Sequence, residues 1–234
     1  MKQQGQLLEF STSNANAKIL YPIPAAYTNR AGKAIYIATK YASILGGSVL
    51  DVGCDEKQLS KLIPSTATYL GIDMSSAADI VLNLEDAKLP LADRTIDTVL
   101  ACDVLEHLEQ IHAVFDELCR VAKLRVIVSL PNPMLAFMHA LAHEDIGERE
   151  GTNKGLKYYG LPVERPRDRH RWFFSSEEAQ RFVRERGKLN AMRIEQLDFE
   201  AYPEPPPYFS RSGRVLSNSP TFSQGTMWAV LSRT

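Results

Sequence analysis

Three scarcities narrow the reading before any motif is met. The chain has 234 residues and three cysteines, Cys54, Cys102 and Cys119. That odd count lacks the paired spacing of a metal site and predicts reduced thiols in a cytoplasmic protein. Charge of either sign is not in excess: 27 Lys and Arg stand against 28 Asp and Glu, a net charge of −1. Nothing in that balance draws the chain to nucleic acid or to an anionic membrane surface. No apolar run is long enough to span a bilayer. The opening MKQQGQLLEFSTSNANAK is too polar for the apolar core of a signal peptide. No internal repeat is visible. What remains is ordinary for a globular domain, with 44% hydrophobic and 24% charged residues. The length suits one sizeable domain with an insertion.

The strongest positive signal lies between Ser48 and Leu108. Short runs rich in Val, Ile and Leu each end in small or acidic residues, as in SVLDVGC, YLGID and IDTVLACDVLEH. Such runs read as strands buried on both faces of a parallel sheet. The spacing predicts strands over 48–52, 68–73, 80–84, 95–102 and 124–130, with later strands near 192–199 and 226–232. Helices are expected over 29–45, from Asp55 to Pro64, over 110–123, 135–143 and from Ser175 to about Arg186. Asp55 is the expected cap of the second, with Gln58 returning the bond. Strand–helix alternation gives an α/β, doubly wound sheet with right-handed crossovers. After Pro133 the rhythm breaks. Residues 1–20 look weakly ordered, followed by an extended lead-in at 21–24. The whole is read as one domain over 1–234. The N-terminal segment 1–28, the insertion 134–172 and the Pro- and Ser-rich loop 203–224 serve as lid elements.

Polar residues gather where the strands end, the edge at which open α/β sheets bind ligands. Asp51 closes the first strand, and Gly53 lets the backbone turn sharply after it. Asp73 closes the second strand, 22 residues on. An acid about 20 residues after the first loop is placed to accept hydrogen bonds from a ribose diol. A dinucleotide site would need glycines where the chain has Asp55 and Gln58. A carboxylate there would repel a pyrophosphate by about 4 kcal/mol at roughly 4 Å and an effective dielectric near 20. S-adenosylmethionine carries a ribose, no phosphate and two cationic groups, and the same carboxylates suit it.

At VLDVGC, YLGIDMS and LPLADRTIDTVLACDVLEHL the chain resembles the class I S-adenosylmethionine-dependent methyltransferases, nearest to the bacterial group acting on small molecules. The resemblance covers roughly 30–131, and thinly 170–187 and 226–232. It implies a Rossmann-like sheet of seven mostly parallel strands with the last antiparallel. It implies S-adenosylmethionine as cofactor, with Asp51, Gly53 and Cys54 against its methionine part. Asp73 would hold the ribose hydroxyls, Met74 would pack on adenine, and Asn83 and Leu84 would reach the adenine edge. Cys102 and Asp103 would line the site beside the transferable methyl. The family's loop often has glycine at every second position, which here are Gly53, Asp55 and Lys57. Those two departures motivate a second reading, a methyltransferase fold retained as a binding module.

A second constellation is Asp103, Glu106, His107 and the distant His170. It is similar to the small-RNA 3′-terminal 2′-O-methyltransferases, where two acids and two histidines hold magnesium, and to ubiquinone-pathway O-methyltransferases. The LEH triplet also occurs widely in methyltransferases without metal, so no metal ligand is assigned. Glu106 is read as structural. His107 and His170 are the candidate catalytic residues, either of them a general base for a hydroxyl. Arg165, Arg167, Arg169 and Arg171 offer contacts for an anionic acceptor or form a solvated basic face. Expected partners are a small-molecule acceptor, no membrane and no nucleic acid, with a homodimer left open. The function so read is methyl transfer to a small molecule, most simply to oxygen. The metal-dependent RNA enzyme is the alternative.

Overall fold

A computed structural model describes residues 18–23, 27, 29–86, 88–142, 169–201, 221 and 224–234. Its eight strands are β1 (Lys18–Ile23), β2 (Ser48–Val52), β3 (Thr68–Asp73), β4 (Ile80–Val81), β5 (Ile96–Cys102), β6 (Ala122–Leu130), β7 (Met192–Ala201) and β8 (Gln224–Arg233). Its helices are α1 (Arg30–Lys40), α2 (Ile111–Val121), α3 (Pro133–Ala142) and α4 (Ser176–Leu189). The strands form one sheet in the order β1-β7-β8-β6-β5-β2-β3-β4. β8 runs antiparallel to both its neighbours, and the other pairings are parallel. From β2 to β8 this is the expected seven-stranded order.

Two expectations are corrected. Part of the N-terminal stretch is a strand: β1 adds itself parallel to β7 and makes the sheet eight-stranded. The segment after the first loop forms no α-helix, only a 3-10 turn over Gln58–Lys61. Asp55 and Lys57 both adopt left-handed backbone, with φ of 48° and 54°, which ends any helical run that Asp55 would start. Gln58 reaches Glu56 instead of returning a cap.

The buried strands alternate between two cores, as a period of two requires. Val99 and Ala101 of β5, Val126 and Val128 of β6 and Ala229 and Leu231 of β8 face one side. There they pack with Val114, Phe115 and Leu118 of α2 and Val183 of α4. Leu100, Ile127, Trp228 and Val230 face the other side, under Ala34 and Ile37 of α1 and Tyr41 at its C-terminal cap. A fully buried side chain such as Phe115 contributes roughly 1.5–3 kcal/mol. α1 starts at Asn29, whose side chain accepts from the Gly32 amide at 2.8 Å. α4 starts at Ser175 in a capping box with Glu178. The expected lid elements fall mostly outside the described residues: of them, β1, α3 and 169–172 are seen, while 143–168 and 202–220 are not. Among the described residues no helix is long and apolar enough to cross a membrane.

Candidate active site

Parallel pairing sets the carboxyl ends of β2, β3 and β5 side by side. Asp51 pairs with Gly71 on one side and Leu100 on the other. Asp51, Asp73 and Asp103 therefore meet at one edge, as the ribose and strand-end reading requires.

Gly53 turns the chain out of β2 with φ of 81°. A Cβ there would stand 2.2 Å from Val104 Cγ2, so the loop is pressed against the turn after β5. Cys54 is buried with its sulfur over Gly71, where a Cβ would come within 2.6 Å of it. Its thiol is pushed up to about 12, by burial first and then by the charges of Asp51 and Asp73. Cys102 is pushed to about 12 as well, chiefly by burial. Both thiols stay protonated and serve packing.

Asp51 accepts from the Tyr69 hydroxyl at 2.7 Å. Burial drives its carboxyl up to about 6; the Tyr69 bond and Lys33 oppose the rise, and the charge of Asp73 adds to it. A desolvated carboxylate of this kind favours a cationic ligand. Both oxygens of Asp73 are engaged by backbone, Oδ2 by the Asp55 amide at 2.9 Å and Oδ1 by the Ser75 amide at 2.8 Å. A carboxylate oxygen accepts more than one bond, so each keeps capacity for a ribose hydroxyl. Met74 is 70% exposed and offers an open apolar surface for a base. Asn83 is exposed, with its side chain accepting from the Glu85 amide. The Leu84 side chain lies in the core, which leaves only its backbone for the expected contact with a base edge.

Asp103 follows β5 in left-handed backbone, φ 56°. Ser129 Oγ donates to its Oδ1 at 2.7 Å, and the Lys33 ammonium of α1 pairs with its Oδ2. Burial works to raise this carboxyl, but Lys33, Ser129 and the nearby His170 outweigh it and hold it below the ordinary range. Beyond it a 3-10 turn over Leu105–His107 brings Glu106 into the interior, its side chain 1% exposed. Glu106 Oε1 lies 3.8 Å from His107 Nε2 and 3.9 Å from His170 Nε2. The two imidazoles meet edge to face with centroids 4.7 Å apart. The structure thus brings the two predicted histidines together across 63 residues of chain. Sequence reasoning missed Lys33, which stands in no motif, and Tyr69, which opens YLGIDMS but reads there only as a strand residue; each is aimed at an acid by its helix or strand.

Comparison with known proteins places the chain in a family and matches its fold. A family model for a methyltransferase domain matches residues 25–188. The chain belongs to this methyltransferase family. No curated protein matches it by sequence. Among solved structures it is similar to the magnesium protoporphyrin IX methyltransferase of Synechocystis PCC 6803 with bound S-adenosylhomocysteine. There the identity is 16%, the TM-score 0.51, and 87% of this chain and 81% of that one are covered. It is similar to an S-adenosylmethionine-dependent methyltransferase from Listeria monocytogenes, described there as a candidate (14% identity, TM-score 0.52, covering 88% and 100%). It is also similar to the small RNA methyltransferase HEN1 (17% identity, TM-score 0.54), covering 90% of this chain and 26% of that one. The enzyme is an S-adenosylmethionine-dependent methyltransferase with that cofactor.

Proposed function

We propose that this methyltransferase acts on a hydroxyl of a small molecule, with Asp51, Gly53, Asp73 and Met74 holding the cofactor and the His107–His170 pair facing the acceptor. The observation that carries the reading is the buried Glu106 between two imidazoles, just beyond Asp103 at the carboxyl edge. When bound, the cofactor supplies an electrophilic methyl carbon on a sulfonium. A hydroxyl attacking that carbon must lose its proton, and an imidazole nitrogen beside it accepts that proton. Glu106 orients both rings and favours the imidazolium that forms. The remaining task of the chain is to hold the two reactants in line, which alone can supply several orders of magnitude. The residues fit the cofactor on two features of the structure: the strand ends that set Asp51 and Asp73 at one edge of the sheet, and the desolvated Asp51 carboxylate, which suits a cationic group.

The test is turnover with methyl-labelled cofactor against a panel of hydroxyl-bearing small molecules and against RNA 3′ ends. Label in the small molecules, lost in His107→Ala and His170→Ala with S-adenosylhomocysteine affinity kept, supports the reading. Label in RNA alone overturns it.

One observation favours a second reading. Ligand atoms of Glu106, His107 and His170 lie within 4.8 Å of one another, a set of donors that suits a divalent ion. In that reading those three residues would hold the ion, and the ion would supply Lewis-acid activation of the acceptor. The net charge of −1 speaks against RNA as the acceptor even then. Activity lost on chelation and restored by one divalent ion selects this reading; activity indifferent to chelator selects the imidazole base.

A further inference from the structure

The tail of the cofactor carries a sulfonium, an ammonium and an α-carboxylate. Asp51 and Asp103 suit the two cationic groups. The third group is negative, and two aspartates alone would expel it. A cation has to stand at this end of the cleft.

Lys33 stands there. It lies on the first turn of α1, and its side chain is 14% exposed. Its ammonium pairs with Asp103 and sits 5.3 Å from the centre of the Trp228 ring. Trp228 is fully buried and anchored by its own N–H to Glu200 at 2.9 Å. The indole therefore backs the ammonium on a rigid surface, a favourable cation–π arrangement. The same ammonium lies close enough to Asp51 and Cys102 to act on both. Asp51, Cys102 and Asp103 are the residues around the methionine end of the cleft, and Lys33 reaches in among them from a different element. With the cofactor's tail in place the charges balance: two carboxylates and one ammonium on the protein, two cations and one carboxylate on the ligand.

We propose that Lys33 is the residue that receives the α-carboxylate of S-adenosylmethionine, sharing its ammonium between that group and Asp103. The inference deepens the reading of this cleft as the cofactor site and rests on it. It makes Lys33 the residue that tells the complete amino-acid tail from a truncated one. It also couples α1 to cofactor binding, because the helix that supplies Lys33 covers the sheet face beneath Trp228.

The test is calorimetry with two probes, S-adenosylhomocysteine and its decarboxylated form, which keeps the adenosine and the amine. Wild type is expected to prefer the intact ligand by about 10- to 100-fold, the worth of one charge-assisted contact. Lys33→Met should abolish that preference while binding the decarboxylated probe as wild type does. Lys33→Arg should keep most of it. The proposal is overturned if wild type shows no preference, or if Lys33→Met keeps the preference. It is also overturned if that variant loses both probes alike, which would make Lys33 a tether for α1 only. If wild type binds neither probe, the cofactor assignment of the cleft fails first, and that failure is visible separately.

Discussion

The backbone amide of Asp55 donates to Oδ2 of Asp73 across 2.9 Å, so the acid expected to hold the ribose also pins the loop that would cover it. In the proposed reading one carboxylate thus both sets the shape of the site and recognises the ribose. Asp73→Ala should lower S-adenosylhomocysteine affinity by about 100-fold or more, since contacts to a charged group are worth roughly 1.5–3 kcal/mol each. Asp73→Asn, which keeps one acceptor, should lose less. Calorimetry gives the affinities. Hydrogen exchange at the Asp55 amide should speed up in Asp73→Ala without ligand; unchanged exchange would show the loop to be held by something else.

Gly53 is strained for any other residue on two grounds, its φ of 81° and the 2.2 Å approach to Val104. Gly53→Ala should lower stability by about 1–3 kcal/mol and weaken cofactor binding together. Gly46→Ala is the control, because nothing lies within 4 Å of a Cβ there. Thermal melts of the two variants side by side decide the matter: an equal melting temperature would mean that the loop yields freely.

Asp51 gives the site a pH dependence whose sign follows from its raised pKa. The folded, ligand-free protein holds its proton up to about pH 6, whereas an unfolded carboxyl releases it near 4. Between those values the native state binds more protons, so this group's contribution to stability falls as pH rises through the window. A cationic ligand demands the charged form, so S-adenosylmethionine affinity should fall as pH drops below about 6, with a proton released on binding at about pH 6 and below but little at neutral pH. Asp51→Asn should bind weakly and lose that dependence. Calorimetry in buffers of different ionisation enthalpy counts the protons directly.

The sheet was legible in the sequence where strands are buried on both faces. SVLDV and TYLGID are short runs rich in Val, Leu and Ile that give way to small or acidic residues, and β2 and β3 begin and end at the expected residues. The missing helix was not legible, because Asp55 and Gln58 satisfy a capping pattern whose outcome depends on backbone at Asp55 and Lys57. That backbone is held from outside: Asp73 takes the Asp55 amide, and Asp79 takes the Lys57 ammonium at 2.7 Å. β1 was hidden because an edge strand needs only one partner and no long apolar run. The acids of the site were legible because motif spacing carries them. Lys33 was not, since its partners Asp103 and Trp228 come from strands far along the chain and only folding joins them.

His170 is held through its neighbours in the chain. The chain beside it is laced to the turn after β5: the Arg171 amide donates to the Glu106 carbonyl at 2.7 Å, and Arg171 Nε to that of His107 at 2.7 Å. Trp172 Nε1 donates to the Leu108 carbonyl at 2.7 Å. The bonds engage three successive carbonyls, so the 170–172 segment is fitted to that turn and carries His170 into place against His107. Trp172→Phe keeps the ring and removes one bond, costing about 1 kcal/mol of stability. Arg171→Ala removes a side chain that also pairs with Glu109 at 2.7 Å and should cost more. The bonds they remove run to the turn after β5 and, for Arg171, to Glu85 and Glu109, not to Asp51 or Asp73. Both should therefore lower kcat, Arg171→Ala by about tenfold, with S-adenosylhomocysteine affinity unchanged, because a base displaced by an ångström loses much of its effect. Steady-state kinetics with the acceptor found by the labelling assay, set beside calorimetry, separates the two halves of the site. Affinity falling in step with kcat would show that the histidine pair and the cofactor cleft are one mechanical unit.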